Sequence, residues 1–191
     1  MNASLDLLRT QLRHHPATPP GTPLSLTVEL RTQGDGLRLR YTLSGHTAAL
    51  CIPAPAAPTP TDGLWRHTCF EAFVAATGEA AYREFNFSPS SQWAAYRFSA
   101  ERERDTAAEA REPVLPMPPP AAQATPRALT LTARLPLNAL PRSASVLDIG
   151  LCAVIEERDG RLSYWALHHP GARPDFHHPD GRTLRLASPL I

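Results

Sequence analysis

The chain has 191 residues, which suffices for one domain whose hydrophobic core needs no disulfide support. Its formal net charge is +1, so no strong electrostatic field attracts nucleic acid or an anionic membrane surface, and we expect neither as a partner. The basic residues other than histidine are all arginine, which excludes a lysine Schiff base and a phosphate-loop lysine.

The cysteines and the apolar segments indicate the compartment. Cys51, Cys69 and Cys152 are odd in number and contain no close pair, so we expect neither a disulfide framework nor a zinc knuckle. No apolar stretch near the N-terminus has the length of a signal peptide, and no segment is long enough to span a membrane. These features favour the cytoplasm of a bacterium.

The chain begins with a segment of helical periodicity. Leu5, Leu8 and Leu12 recur on one side of a helix, so we predict a short amphipathic helix over residues 3–15. The prolines at 16, 19 and 20 end it. We interpret residues 1–21 as an N-terminal extension of a single domain that spans residues 1–191.

From residue 24 onward the dominant period of the apolar residues is two, which is typical of strands with one buried face. The runs 24–30 and 37–43 flank a glycine-containing turn and predict a β-hairpin. Short connections join the next three runs, so we expect an antiparallel meander. The further predicted strands lie at about 64–75, 82–88, 92–98, 129–135, 146–156, 161–167 and 182–187.

Residues 99–127 interrupt this pattern. They are charged at first and then rich in alanine and proline, so we predict a long surface loop, with a helical turn at its start as an option. Many short strands joined by turns indicate an all-β fold. We predict a sandwich of two antiparallel sheets, of immunoglobulin-like or jelly-roll-like type, with a long proline-rich loop and a short N-terminal helix.

Two blocks of sequence carry a resemblance to a known family. Residues 64–98 read LWRHTCFEAFVAATGEAAYREFNFSPSSQWAAYRF, and residues 164–186 read YWALHHPGARPDFHHPDGRTLRL. They resemble the DOMON-like domains related to family-nine carbohydrate-binding modules, within a small bacterial subgroup. The matching positions include Trp65, Glu71, Tyr82, Glu84, Asn86, Pro89, Trp93 and Tyr96. The resemblance implies a β-sandwich that binds sugars or haem, although fold alone does not fix the ligand.

The meander offers a candidate ligand site. If its strands pair as predicted, Glu71, Glu84 and Asn86 lie on one sheet face. Aromatic rings stack on sugar C–H groups, while carboxylate, amide and guanidinium groups bond to hydroxyls. The candidate ligand-binding residues are Trp65, Glu71, Glu84, Asn86, Trp93, Arg97 and Trp165. The leading hypothesis is non-catalytic recognition of a carbohydrate-like or other small polar ligand. The alternative for this face is an ordinary solvated surface anchored by buried tryptophans.

A second group of residues permits a different chemistry. Imidazole and carboxylate groups bind divalent metals, and the late histidine cluster supplies both. Its members are His168, His169, Asp175, His177 and His178. A metal-assisted enzyme is therefore an alternative, but the spacing matches no standard zinc motif. We expect a structural role in which Asp175 is hydrogen-bonded within the protein and Phe176 is buried.

Three further alternatives stay open at this point. Haem could be ligated through Met117 and a late histidine, as in one branch of the DOMON proteins. Glu71 and Glu84 could form a catalytic carboxylate pair, since facing carboxylates separate their pKa values. A scaffold that binds protein would show an exposed apolar patch without a pocket.

Overall fold

The computed structural model describes residues 7–34, 36–112, 117–142 and 145–189, and the counts below refer to these residues. Twelve strands and one short α-helix, α1 (Thr106–Arg111), form the fold. The strands are β1 (Leu7–His14), β2 (Leu24–Gln33), β3 (Gly36–Gly45), β4 (Cys69–Ala76), β5 (Tyr82–Phe87), β6 (Trp93–Ala100), β7 (Glu103–Arg104), β8 (Ala121–Thr125), β9 (Ala128–Pro136), β10 (Val146–Glu156), β11 (Leu162–Ala166) and β12 (Leu184–Ala187). None of the described helices is long and apolar enough to cross a membrane.

The strands form two antiparallel sheets. The first sheet has the order β1-β2-β3-β9-β8, and the second has the order β7-β6-β5-β4-β10. Strands β11 and β12 pair with different halves of the free edge of β10. Strand β1 pairs with β2 over most of its length, and its last two residues, Arg13 and His14, pair with β11. This strand therefore links the two sheets into one hydrogen-bonded path.

The sheets pack face to face and confirm the predicted sandwich. The ring of Tyr41 on β3 lies 5.1 Å from the ring of Phe70 on β4. The Tyr41 hydroxyl also donates a hydrogen bond of 2.8 Å to the backbone carbonyl of Glu71 in the other sheet. The period of two explains the packing, because alternate residues of each strand point into the space between the sheets.

One apolar cluster fills this space. Its members come from both sheets and include Leu26, Val28, Leu39, Leu43, Phe70, Val74, Phe85, Phe87, Leu131, Leu151 and Ile155, all of them at most 2% exposed. Burial of each such side chain contributes roughly 1.5–3 kcal/mol before the entropy cost of folding is subtracted. The core thus fixes which face of the second sheet remains outside.

The predicted N-terminal helix is wrong where the structure describes it. Residues 7–14 form β1, and six of its residues pair in register with β2. The spacing of the leucines is compatible with a helix. Pairing with β2, however, satisfies the hydrogen-bonding groups of the backbone and also buries Leu12 in the core. Residues 1–6 of the predicted helix lie outside the described residues.

The predicted surface loop at 99–127 is wrong in part. The helical turn considered near its start is present as α1, but the segment also contains β7 and β8, which were not predicted. Residues 113–116 lie outside the described part of the chain. The Asp105 carboxylate caps α1 by accepting a hydrogen bond of 2.8 Å from the Ala108 amide. Met117 is 3% exposed and packs in the core between the sheets. A methionine packed between the sheets gives no support to the alternative in which Met117 ligates haem.

The predicted strand at 64–75 begins later than expected. Leu64–Arg66 form a 3-10 turn, and β4 begins at Cys69. Gly63 precedes the turn with a φ of 77°, a left-handed conformation that glycine adopts without strain. The chain therefore lifts Trp65 off the sheet before β4 starts. The other predicted pairings are confirmed, namely the β2–β3 hairpin, the β4–β5–β6 meander and the β10–β11 pair.

Candidate functional site

A cleft of about 520 Å³ opens on the outer face of the second sheet. Strands β4, β5 and β6 form its floor, and the segments around Trp65 and Phe176 rise beside it. Its aromatic lining consists of Trp65, Phe73, Tyr96, Phe98, Tyr164 and Phe176. Its ionisable lining consists of Asp62, Arg66, Glu71, Glu84, Arg102, Arg104, Asp175 and His177. A volume of this size suits a small organic ligand.

The register of the meander explains the polar floor. Glu71 on β4 lies opposite Asn86 on β5, and Glu84 lies opposite Phe73. Because side chains alternate along a strand, Glu71, Glu84 and Asn86 share the outer face. This confirms the predicted placement of the three residues on one face, and it leaves two carboxyl groups diagonal to one another.

Both carboxyl groups are almost fully enclosed. Glu71 is 2% exposed and Glu84 is 5% exposed. Burial raises the pKa of Glu84 to about 7, although the hydrogen bond from Asn86 acts in the opposite direction. Burial, followed by the charge of Glu84, raises the pKa of Glu71 as well. A pair of carboxyl groups in this setting retains a proton under conditions in which exposed glutamates are ionised.

Hydrogen bonding on the floor is incomplete. The Asn86 side-chain Nδ2 donates a hydrogen bond of 2.8 Å to Oε1 of Glu84. Oε1 of Glu71 and Oδ1 of Asn86 are buried and have no hydrogen-bond partner among the described residues. Buried acceptors are normally paired, so these two atoms indicate a place where a ligand or a proton completes the network.

His177 faces the carboxyl pair from the loop that follows β11. Its Nδ1 lies 2.7 Å from the Tyr82 hydroxyl, which itself accepts the amide hydrogen of Arg102 at 3.2 Å. The hydroxyl hydrogen is thus available to Nδ1, and the proton of the neutral ring lies on Nε2, which is 3.9 Å from Oε2 of Glu84. Burial, then the charge of Arg102, lowers the pKa of His177 to about 4. His177 is therefore neutral near pH 7.

The rim of the cleft combines aromatic rings with arginines. Trp65 is 48% exposed, and the guanidinium of Arg66 lies 5.2 Å from the centre of its ring. The Arg104 guanidinium lies 4.4 Å from the centre of the Tyr96 ring and pairs with Glu109 at 2.9 Å. The Arg104 contact stabilises the position of Tyr96, and Trp65 offers an exposed ring to the cleft that it lines.

Three of the predicted ligand-binding residues lie elsewhere. Trp93 and Trp165 are 6% and 2% exposed and belong to the core between the sheets. Arg97 shares the alternation of Trp93 on β6, so it also points away from the cleft, and it pairs with Glu112. Their expected position beside Glu71 is therefore wrong. One tryptophan lines the cleft, as expected, while two serve the core.

The late histidine cluster is dispersed. His169 lies by the first strand, where its Nε2 donates a hydrogen bond of 2.9 Å to the Arg13 carbonyl, and His168 lines the same separate pocket. His178 accepts a hydrogen bond from the Asp180 amide in a 3-10 turn. Within the described ranges no three histidine, cysteine or carboxylate side chains are grouped to hold a metal ion. Asp175 and His177 line the cleft and His168 and His169 line a different pocket, so the five residues do not form one group.

The segment around Asp175 closes the cleft. Asp175 accepts hydrogen bonds from the His177 amide at 3.0 Å and from the Arg102 guanidinium at 2.8 Å, as the structural interpretation predicted. Phe176 is half-buried rather than fully buried, and its ring lies 6.4 Å from that of Phe73 and 5.9 Å from that of Tyr164. The incomplete burial arises because the ring forms a wall of an open cleft.

Several lining residues were not predicted, although the sequence contained a signal for some of them. Tyr96 and Phe98 alternate with Trp93 and Arg97 on β6. They lie opposite Glu84 and Tyr82 of β5, and this pairing places them on the same outer face as Glu84. Tyr164 is likewise the neighbour of core Trp165 on β11. Arg102 and Arg104 come from the turn and short strand after β6, where periodicity gave no guide.

Comparison with known proteins identifies the architecture. No family model matches the chain, and no curated protein matches its sequence. A candidate carbohydrate-binding protein from Bacteroides uniformis superposes with a TM-score of 0.63 at 13% identity, over 96% of this chain and 86% of that one. A family-nine carbohydrate-binding module from Caldicellulosiruptor kristjanssonii, in complex with cellotriose, gives a TM-score of 0.58 at 9% identity, over 92% and 80%. The same kind of module in complex with glucose gives 0.56 at 8% identity, over 92% and 83%. The chain has the fold of these modules.

Proposed function

We propose that this protein is a non-catalytic carbohydrate-binding domain, of the DOMON-like type related to family-nine modules, and that its ligand occupies the outer cleft. The observation that carries the proposal is the cleft itself. It combines half-exposed Trp65 at the rim with the buried carboxyl groups of Glu71 and Glu84, and Asn86 supports Glu84 from below the surface through a hydrogen bond. An aromatic surface next to buried hydrogen-bonding groups suits a ring that has C–H faces and hydroxyl edges.

The structural neighbours support the same ligand class. Two of them are complexes with cellotriose and with glucose, and all three superpose over more than nine-tenths of this chain. The described surface also has few large exposed apolar side chains, namely Leu7 and Trp65. An interface for a protein partner usually needs a broader apolar patch, so the alternative of a protein scaffold receives less support.

The electrostatics of the floor support a binding role over glycoside hydrolysis. A hydrolase of the retaining kind needs one ionised carboxylate as nucleophile beside one protonated acid. Burial raises the pKa values of both Glu71 and Glu84, so neither is stabilised as the ionised member of such a pair. The two groups therefore serve better as hydrogen-bonding partners than as a nucleophile and an acid.

The test is a fluorescence titration with cellotriose and with glucose. Because Trp93 and Trp165 are buried in the core, a ligand that stacks on Trp65 should change the emission of this exposed ring. Trp65→Ala should weaken binding by about tenfold or more without lowering the unfolding temperature, and calorimetric titration measures this variant because it lacks the reporting ring. The matched control is Leu7→Ala, since Leu7 is equally exposed (46%) but lies outside the cleft. Unchanged affinity in Trp65→Ala, or no binding of any sugar, would refute the proposal.

A further inference from the structure

The floor of the cleft has more hydrogen-bond acceptors than donors. Oε1 of Glu71 and Oδ1 of Asn86 lack partners, and Oε2 of Glu84 has only the Nε2 of His177 at 3.9 Å, which is beyond hydrogen-bonding distance. The amide donor of Asn86 is already used by Oε1 of Glu84. A neutral hydroxyl can donate one hydrogen bond to such a floor, but it brings no positive charge to balance an ionised carboxylate.

A protonated primary amine has the complementary chemistry. It carries three N–H donors, no acceptor and a positive charge, which matches the carboxyl oxygens of Glu71 and Glu84, the two glutamates that line the cleft. Phe73 and Tyr96 line the cleft beside the pair, and aromatic rings attract an ammonium group. A calcium ion would need six to eight oxygen ligands, whereas no three histidine, cysteine or carboxylate side chains among the described residues are grouped to hold a metal ion.

We propose that the ligand of the cleft is an amino sugar, and that its ammonium group docks on the Glu71–Glu84 pair. This inference rests on the proposed carbohydrate-binding function and names the chemical class of its ligand. The sugar ring stacks at the rim on Trp65, and the amine reaches the floor. Arg102 and Arg104 cannot replace the ammonium, because each is already held by a carboxylate, Asp175 and Glu109 respectively.

The ligand must compete with a proton for the same place. Without a ligand, protonation of the carboxyl pair supplies the missing donors, which agrees with the raised pKa values of both groups. Docking of the ammonium should therefore expel a proton to the buffer. The other ionisable groups around the pair include His177, Arg102 and Arg104 across the cleft and Asp62 at the rim. The hydroxyls of Tyr41, Tyr82 and Tyr96 and the thiols of Cys69 and Cys152 lie beside the floor.

The experiment is calorimetric titration of the full chain at pH 6.5 with D-glucosamine, N-acetyl-D-glucosamine and D-glucose. Glucosamine should bind about tenfold more tightly than the two uncharged sugars, as expected for a charge-assisted contact. Repeating the titration in two buffers of different ionisation enthalpy should show about one proton released per glucosamine and none per glucose. Proton release measured on the unaltered protein keeps the test valid even if a variant folds poorly.

Two isosteric variants locate the preference. Glu71→Gln and Glu84→Gln should each remove the advantage of glucosamine over glucose. The control Asp148→Asn removes a carboxylate from β10 outside the cleft, where Asp148 pairs with Arg185, and it should retain the advantage. Circular dichroism of each variant checks that it is folded.

The outcomes separate this inference from the proposed function. If glucose or N-acetylglucosamine binds as tightly as glucosamine, or if the preference persists in both glutamine variants, the amino-sugar assignment is wrong while carbohydrate binding stands. Stoichiometric calcium binding that blocks glucosamine and disappears in both variants would make the floor a metal site instead. If no sugar binds even at high millimolar concentration, both proposals fail.

Discussion

Glu84 keeps its proton in the folded protein at pH values where an exposed glutamate is ionised. Its pKa is about 7 in the fold against 4.5 for the reference group, so between these values the folded state binds more protons than the unfolded state. The contribution of Glu84 to stability is thus present at low pH and is lost as the pH rises towards and through about 7. The raised pKa of Glu71 acts in the same direction.

His177 has the opposite effect at lower pH. Its pKa falls from 6.5 to about 4 on folding, so the free energy of unfolding rises with pH across this interval. The two effects offset each other below about pH 6.5, and the loss due to the glutamates should become visible above it. Glu84→Gln should therefore stabilise the protein by about 2–3 kcal/mol at pH 8 and by little at pH 5. Urea unfolding at both pH values measures this difference, and an equal change at both would contradict it.

At the residue scale the sequence predicted the polar floor better than its aromatic walls. Glu71, Glu84 and Asn86 were placed correctly because strict alternation and a short connection between β4 and β5 leave little freedom in register. Trp65 was assigned to a strand face, but the turn after Gly63 places it above the sheet. The alternation of residues 64–75 does not indicate this turn. The one local signal is Gly63, which immediately precedes these residues.

At the scale of the element, β1 is the clearest case in which tertiary pairing overrides local pattern. In an amphipathic helix the leucines of one stripe are buried alike, whereas in β1 Leu12 is 1% exposed and Leu7 is 46% exposed. The pairing of β1 with both β2 and β11 depends on residues far away along the chain. The sequence of residues 3–15 alone therefore cannot predict that the segment forms a strand.

This difference in burial gives a test of the strand. Leu12→Ala should lower the free energy of unfolding by about 2–5 kcal/mol, since it leaves a cavity between the sheets. The control Leu7→Ala should change it by less than about 0.5 kcal/mol, because the side chain is half-exposed on the same strand. Chemical denaturation of the two variants supplies the values. Equal losses would contradict the assignment of this segment as a strand with one buried face.

At the scale of the whole molecule, composition and periodicity were sufficient to predict the architecture. A period of two from β2 onward specified two packed sheets, and the core cluster draws on both of them. The dispersal of the histidine cluster could not be foreseen, because a proline-rich segment has no periodicity that fixes where its side chains point. The closing position of Phe176 depends in the same way on strands that lie outside its own segment.

Removal of β1 should affect the entire sandwich. Strand β1 covers Leu26 and the edge of β2, and it also completes the pairing of β11. A variant that begins at residue 15 should expose apolar core surface and lose cooperative unfolding. Binding of a hydrophobic dye together with a thermal melt measures both effects. A sharp unfolding transition at the original temperature would show that the strand is dispensable.

The position of β1 also determines when the protein can finish folding. The strand is made before β11, and its last two residues pair with Ala166 and Trp165, which emerge from the ribosome about 150 residues later. Contacts between residues so far apart in sequence are slow to form. The intervening chain must first lose conformational entropy to bring the two strands together, and only then do the strand hydrogen bonds compensate for that loss. During synthesis the edge of β1 that later meets β11 stays unpaired, so the nascent chain passes through a stage in which chaperones or a second chain can reach that edge.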